Sequence, residues 1–300
     1  MAKTAAAGEK STARMKKLNE TKMILRQPLL LAAVVLTILL LLLFVVYPLL
    51  KVLIFSLTDA DGNFSLANLV TILTTSRYLA VFGRTMLLGI IVAIIATFIG
   101  YIFAYTITRT NVPCKKFLKT IATLPILSPP FILSLSIIFL FGKQGFITKT
   151  LMGITGNNVY GMGSLVVVQV MSFFPIAYLT LSGILSSIDA SVEDAACNMG
   201  ASRWHTFWTV TFPLSLPGII SGCVMVFTMS MTSYVTPKLL GGSKFRMMAT
   251  MVVQEINVSF DWGAASAISY ILLAVILLIQ VLVVLSTAGY MKRLGGGKNA

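Results

Sequence analysis

Residues 29–50, LLLAAVVLTILLLLLFVVYPLL, form an apolar run that contains no charged side chain. A helix that crosses the roughly 30 Å hydrocarbon core of a bilayer needs about 20 mostly apolar residues, and this run has that length. Its apolar residues occupy every face, whereas the strands of a membrane β-barrel alternate apolar with polar side chains. The run therefore predicts a transmembrane helix.

Five further stretches of similar length and composition follow, and none of the six contains Asp, Glu, Lys or Arg. They are Met86–Ile107, Ile121–Phe141, Gly163–Leu185, Leu214–Val235 and Ala264–Leu285. Across the 300 residues, 57% are hydrophobic and only 11% are charged, whereas a soluble domain carries roughly 25% charged residues. We therefore expect an all-α integral membrane protein with six transmembrane helices.

The placement of Lys and Arg predicts the orientation in the membrane. With the N-terminus in the cytoplasm, 15 of the 23 basic residues fall on the cytoplasmic side, as the positive-inside rule requires. The first run lacks a small-residue cleavage site, so we expect an uncleaved anchor rather than a signal peptide. The expected organisation is a cytoplasmic basic leader (1–27), a six-span domain (28–290) with a cytoplasmic loop at 186–212, and a cytoplasmic tail (291–300).

Several classes of function are disfavoured by the sequence. The net charge of +14 lies in the ends and loops between apolar runs, so it indicates membrane orientation and not nucleic-acid binding. Cys114, Cys197, Cys223 and the single His205 show no metal-like spacing. Neither a phosphate-binding G-x-x-x-x-G-K-[ST] motif nor a catalytic cluster is found. We expect a protein that is not an enzyme and binds no cofactor itself.

The connections between the spans carry local signals. Phe55–Arg84 is predicted to be an outer loop with a short helix, and Lys238–Trp262 a similar segment with a hinge-like break at Gly241 and Gly242. Prolines are expected to kink the third and fourth spans; these are Pro125, Pro129, Pro130 and Pro175.

The largest inner loop, Ser186–Phe212, predicts two short helices separated by a turn. Ser191 and Asp194 have the spacing of a capping box for the first helix. Gly200 can end it in the left-handed conformation, and Ser202 can cap the second. Apolar positions of the second helix are Trp204, Phe207, Trp208 and Val210. This amphipathic element needs a cover, and lipid headgroups and a docking partner both remain open.

Two segments of this loop, DAA-x-x-x-G from Asp194 to Gly200 and VTFP from Val210 to Pro213, resemble the EAA loop of binding-protein-dependent ABC importer permeases. The family pattern is EAA, three residues, Gly, nine residues and I-x-L-P. All spacings match, while Asp194 replaces Glu, Val210 replaces Ile and a Phe at position 212 replaces Leu. The resemblance implies a type I, MetI-like bundle whose loop docks on a cytoplasmic ATPase.

The resemblance also implies residues and partners. By carry-over, the ATPase-coupling residues are Glu193, Asp194, Ala195, Ala196, Gly200, Ala201, Phe207 and Pro213. ATP and Mg²⁺ would be bound by the partner ATPase dimer. The other implied partners are a second identical or homologous permease, an extracytoplasmic substrate-binding protein and the lipid of a bacterial plasma membrane. A secondary transporter is the rival, disfavoured because its path needs ionisable groups that the six runs lack.

The substrate is indicated only by finer resemblances. Residues 232–269 resemble permeases for spermidine and putrescine, whereas residues 141–179 resemble permeases for ferric iron and 2-aminoethylphosphonate. A polyamine is the first expectation, and the other two are alternatives. Polar and aromatic residues that could line the path are Gln169, Ser172, Phe173, Tyr178, Thr228, Ser230, Thr232, Ser233 and Tyr234. The competing interpretation is that the hydroxyl groups only join helix to helix.

Overall fold

A computed structural model describes residues 27–59, 62–151, 159–242 and 245–294. Within these ranges the chain is helical almost throughout, and six helices are long and apolar enough to span a bilayer. They are Pro28–Ser56, Ser76–Arg109, Phe131–Lys149, Met162–Ser187, Arg203–Thr232 and Trp262–Thr287. The predicted all-α class with six spans is confirmed.

The first span, α1 (Pro28–Ser56), lies largely in a compact unit that ends at Phe55. Pro28 occupies the first turn, where its missing N–H costs no helical hydrogen bond. A π-helical turn at Leu42–Val46 interrupts the regular helix. Apolar side chains cover every face and lie exposed. A helix of this composition needs lipid or another membrane protein around it.

The second unit begins at Ser56 and contains the remaining helices. Their bounds are α2 (Ala67–Thr74), α3 (Ser76–Arg109), α4 (Lys115–Leu127), α5 (Pro130–Phe141), α6 (Met162–Ser187), α7 (Ala190–Asn198), α8 (Arg203–Thr232), α9 (Val235–Leu240), α10 (Met248–Gln254) and α11 (Trp262–Leu294). The core of the unit is formed by α3, α6 and α8, which pack extensively against one another.

Small residues allow α3 and α6 to approach closely. Ala96, Gly100 and Ala104 are four residues apart and buried on one face of α3. A Cβ atom added to Gly100 would lie only 2.9 Å from the Cβ of Ala177 on α6. Small residues spaced in this way are a common basis of helix association in membranes, because they bring the backbones into contact.

The third span differs from its prediction. Instead of one helix over Ile121–Phe141, α4 ends at Leu127 and α5 begins at Pro130. Ser128 precedes a proline and adopts the extended conformation that this position favours. By contrast, α6 runs without interruption through Pro175. The paired prolines therefore separate α4 from the third span, which begins at Phe131, and the single proline of the fourth span does not interrupt α6.

The second span begins at Ser76, ten residues before the predicted Met86. The predicted short helix of the preceding segment is present as α2. In the segment after the fifth span, the expected break is confirmed at Gly242, whose φ is +62°. Glu255 is buried there and accepts a hydrogen bond from the Tyr78 hydroxyl at 3.3 Å. This contact joins the N-terminal end of α3 to the segment that follows α10.

Candidate coupling site

The helix α7 is capped by Asp189 rather than by the predicted Ser191–Asp194 pair. The Asp189 carboxylate accepts a hydrogen bond from the Ser191 backbone N–H at 2.9 Å. Hydrogen bonds from Ser191, chiefly from its backbone N–H, hold the pKa of Asp189 below its ordinary value of 3.8, because they stabilise the charged form. The acid of the first turn is Glu193. The capping-box prediction was wrong because an acceptor two residues earlier occupies the cap.

Gly200 ends α7 as predicted. Its φ of +91° lies in the left-handed region that side chains disfavour. The Gly200 N–H donates to the Cys197 carbonyl at 2.9 Å, and the Ala201 N–H donates to the Ala196 carbonyl at 3.1 Å. These two bonds form a Schellman motif, which satisfies the last carbonyls of the helix. The turn after α7 is thereby fixed.

The second predicted short helix is continuous with the fifth span. Ser202 caps it as expected, since its hydroxyl accepts from the His205 N–H at 3.2 Å. The helix then continues through a π-helical turn at Phe207–Thr211 into the long span. Pro213 cannot donate to the carbonyl of Thr209, and a widened turn next to a proline accommodates that missing bond. The prediction of two separate short helices is therefore corrected.

Aromatic rings hold the start of α8 against α3. The ring of Phe207 meets that of Tyr105 edge to face, with centroids 5.1 Å apart. Phe212 meets Tyr101 in the same way at 6.1 Å. The Tyr101 hydroxyl also lies 3.0 Å from the Ser215 hydroxyl. Such pairs add directional contacts to the burial of apolar area.

One ionic cluster joins four helices at this end of the bundle. Arg109, the last residue of α3, places its Nε atom 3.2 Å from a Glu193 carboxylate oxygen. Its Nη2 atom donates to the carbonyls of Leu185 at 3.0 Å and Ile188 at 2.8 Å, at the end of α6. The Thr211 hydroxyl on α8 donates to the same Glu193 oxygen at 2.8 Å. We call Arg109, Glu193 and Thr211 the Arg109 cluster.

The predicted coupling residues lie on different sides of the element formed by residues 189–213, which we call the loop element. Exposed members are Asp194, Ala195 and Gly200; half-buried members are Glu193, Ala201, Phe207 and Pro213; Ala196 is buried. Two apolar side chains are also prominent, since Met199 is 83% exposed and Trp204 is 71% exposed. The element therefore has exposed charged and apolar side chains as well as side chains that contact the bundle.

A model of the family of binding-protein-dependent transport system inner membrane components matches residues 96–291, which include the whole loop element. The chain belongs to this family. It is a permease subunit of an ABC importer, a multi-pass protein of the inner membrane. The matched region covers α6, α7 and α8 entirely, so the site described above lies within it.

Relatives of this permease have different transport systems in their names. The ferric transport system permease protein FbpB of Actinobacillus pleuropneumoniae is 31% identical over 86% of this chain and 38% of its own length. A ferric transport system permease protein of Haemophilus influenzae is 32% identical over 77% of this chain and 37% of its length. The spermidine/putrescine permease protein PotB of the same species is 28% identical over 75% of this chain and 82% of its own length. The permease thus spans less than two fifths of its ferric relatives.

Solved structures support the fold. A bacterial ABC transporter that imports alginate superposes with a TM-score of 0.73 over 91% of the permease and 99% of that chain, at 15% identity. The methionine transporter MetNI in an inward-facing conformation gives a TM-score of 0.54 over 72% of the permease and 99% of that chain, also at 15% identity. These likenesses establish the type I importer permease bundle.

Five of the nine predicted path residues line one cavity of the permease. The cavity has a volume of about 410 Å³ and lies between α4, α6 and the end of α8. The five are Ser172, Phe173, Thr232, Ser233 and Tyr234. Pro125 also borders it, near the break between α4 and α5. The structure thus brings together two groups that are 60 residues apart in the chain.

The other four predicted path residues lie in helix contacts. Ser230 donates to the Gln169 side-chain oxygen at 2.5 Å, and both residues are fully buried. Thr228 accepts from the Gln280 side chain at 3.2 Å. Tyr178 is buried, with its ring 5.0 Å from that of Phe103. These residues join α6 and α8 to neighbouring helices.

A second cavity was missed by the sequence reasoning. It has a volume of about 380 Å³, and its described lining residues include Lys238, Arg246 and Asn257 but no acidic residue. Arg246 donates to the Gln254 side-chain oxygen at 3.0 Å. Because this acceptor is a neutral amide and no described lining residue is acidic, the cavity carries net positive charge. Tyr234 borders both cavities. Lys238 and Arg246 are visible in the sequence, but the sequence does not show that they converge on one concave surface.

Proposed function

We propose that this permease forms part of the membrane pathway of its importer and receives ATP-driven movement through the loop element. The observation that carries the proposal is the exposure of Asp194, Met199 and Trp204 on the loop element, whose helix α7 is capped at Asp189 and ended by Gly200. Large apolar side chains on an exposed surface favour a protein partner. Because α8 continues from this element into the fifth span, a push on the element would reach the pathway directly.

The partners follow from the family and the charge distribution. A cytoplasmic ATPase dimer would bind ATP and Mg²⁺ and dock on the loop element, with both termini of the permease in the cytoplasm. A substrate-binding protein would deliver the substrate at the opposite end. A second permease, identical or homologous, would complete the membrane part of the complex.

Gly200→Asp tests the docking role, and Gly62→Asp is a matched control. Both glycines have a positive φ, +91° and +84°, and neither would meet another atom through an added Cβ. The backbone strain is therefore similar, but only Gly200 belongs to the loop element. We expect Gly200→Asp to insert normally and to lose uptake and substrate-stimulated ATP hydrolysis in proteoliposomes, while Gly62→Asp retains both. Normal stimulation of ATP hydrolysis in the Gly200→Asp complex would refute the docking role.

For the substrate we propose ferric iron delivered as an anionic complex. The ferric relatives have higher sequence identity than the polyamine relative, 31–32% against 28%. The basic cavity with Lys238 and Arg246 would repel a polyamine, which carries several positive charges, and attract an anion. The polyamine and 2-aminoethylphosphonate stay second candidates, since residues 232–269 and 141–179 carry those resemblances.

Uptake by the reconstituted complex distinguishes these substrates. The complex is assembled with the ATPase and the binding protein of the same source, and radiolabelled ferric citrate, putrescine and 2-aminoethylphosphonate are offered separately. We expect ATP-dependent accumulation of iron alone. Accumulation of putrescine without iron would overturn the ferric proposal and support the polyamine, with the permease role unchanged.

A further inference from the structure

We propose that the Arg109 cluster is an internal brace that makes the loop element move together with the second, fourth and fifth spans. In this proposal Glu193 is a positioning residue, and Asp194 is the acid available to the ATPase. The inference rests on the proposed function of the loop element, but it concerns how movement passes from that element into the bundle. The resemblance by itself implied an ATPase contact for both acids.

Arg109 is placed to hold two helix ends together. Its Nη2 atom satisfies the carbonyls of Leu185 and Ile188, which have no partner within α6 because the helix ends there. A cation at a helix C-terminus is also favoured by the helix dipole. Since Arg109 is itself the last residue of α3, one side chain fixes the end of the second span to the end of the fourth.

Glu193 extends this connection to the loop element and the fifth span. The Glu193 Oε1 atom lies 3.2 Å from the Arg109 Nε atom, an ion pair that lacks hydrogen-bond geometry, and the same oxygen accepts a hydrogen bond from Thr211, which is buried at the start of the fifth span. The side chains of Arg109 and Glu193 are only 12% and 20% exposed. Solvent screens such a pair less than a surface pair, and losing one member leaves a poorly solvated charge. The carboxylate therefore joins α7 to α3 and α8, and the Arg109 side chain adds the end of α6.

Asp194 is the natural comparison because it is adjacent and differently placed. Neighbouring residues on a helix point about 100° apart, and Asp194 is exposed where Glu193 is half-buried. Both are acids on α7, so their amides, Glu193→Gln and Asp194→Asn, remove the same charge from the two sides of one helix. A difference between the two variants therefore reflects the side of α7 from which the charge is removed, and not the loss of charge itself.

The brace and a docking contact predict different failures. If Glu193 braces the bundle, the Glu193→Gln complex still contains its ATPase and hydrolyses ATP, but movement is lost between the loop element and the spans. We expect the substrate transported per ATP to fall at least about fivefold, the lower end of typical coupling between sites. Asp194→Asn instead weakens ATPase association, measured by the salt concentration that strips the ATPase from the purified complex.

A double-mutant comparison isolates the pair. Arg109→Gln and Glu193→Gln should each lower transport per ATP, and the double variant should be no worse than the poorer single variant, because both changes remove one interaction. Asp194→Asn combined with Glu193→Gln should show independent effects. Thermal unfolding of each complex in detergent identifies any variant that fails to fold, and Glu193→Asp provides a conservative replacement with expected partial recovery.

Three outcomes would overturn the brace. They are normal transport per ATP in the Glu193→Gln complex, loss of the ATPase from that complex, and independent effects of Arg109→Gln and Glu193→Gln. Any of these leaves the docking role intact provided that Gly200→Asp still abolishes stimulated ATP hydrolysis. If Gly200→Asp left uptake and stimulated ATP hydrolysis unchanged, the proposed docking function on which the brace depends would itself be refuted.

Discussion

The close approach of α3 and α6 at Gly100 predicts a measurable cost for one added methyl group. In Gly100→Ala, the new Cβ would lie 2.9 Å from the Cβ of Ala177 and 3.0 Å from the backbone nitrogen of Tyr178, whereas ordinary contacts begin at 3.4 Å. Neither neighbouring atom can rotate away, because one is a backbone atom and the other is a Cβ. The two helices must therefore separate by about half an ångström along the core contact of the bundle.

The size of the effect can be isolated with a second glycine on the same helix. Gly83→Ala adds a Cβ that meets nothing within 4 Å. Both changes gain the same helix propensity, about 1 kcal/mol, so the difference between the variants is the cost of the steric overlap. Overpacking a well-packed site typically costs about 1–3 kcal/mol. We expect Gly100→Ala to be less stable than Gly83→Ala by that amount.

Unfolding in mixed detergent micelles, followed by SDS titration, gives the free energy of unfolding of each variant. Uptake by Gly83→Ala should match that of the unchanged protein, because the methyl group points into open space. A difference between the two variants below about 0.5 kcal/mol, within the usual error of additivity, would refute the small-residue contact as the basis of α3–α6 packing.

Three further predictions concern other sites. Ser230→Ala should lower the free energy of unfolding by about 0.6–1.7 kcal/mol, since it removes the donor to Gln169. The double variant Gln169→Met with Ser230→Ala should regain stability and keep uptake. A double variant that is stable but does not transport would place the pair in the substrate path. The pKa of Asp189 is lowered, so its cap is fully formed above the ordinary carboxyl pKa and weakens as pH falls through the lowered value. Hydrogen exchange should show reduced protection of α7 only under acid conditions and no such change in Asp189→Asn; equal pH dependence in both would contradict this role. Lys238→Gln and Arg246→Gln should slow uptake of an anionic iron complex, more at low than at high ionic strength, and faster uptake would exclude an attractive role for the cavity.

Several features of the site were accessible from the sequence because they depend on neighbouring residues. The left-handed turn at Gly200 and the cap at Ser202 are local backbone events, and both are confirmed. The capping of α7 was assigned to Ser191 when the structure has Asp189, because two acceptors compete within three residues and the position where the helix starts decides between them. The continuity of α8 was missed because Pro213 indicates a break, while the π-helical turn before it absorbs the missing hydrogen bond.

The sequence by itself determined that this is a six-span membrane protein of the importer permease family, since long apolar runs have one stable solvent and the DAA…G…P spacing is local. Only the tertiary structure decided that Glu193 faces Arg109, 84 residues earlier in the chain, while Asp194 beside it is exposed. It also decided which predicted path residues line a cavity and which join helices. Periodicity specifies that a residue lies on one face of a helix, but the partner of that face depends on how the helices pack together.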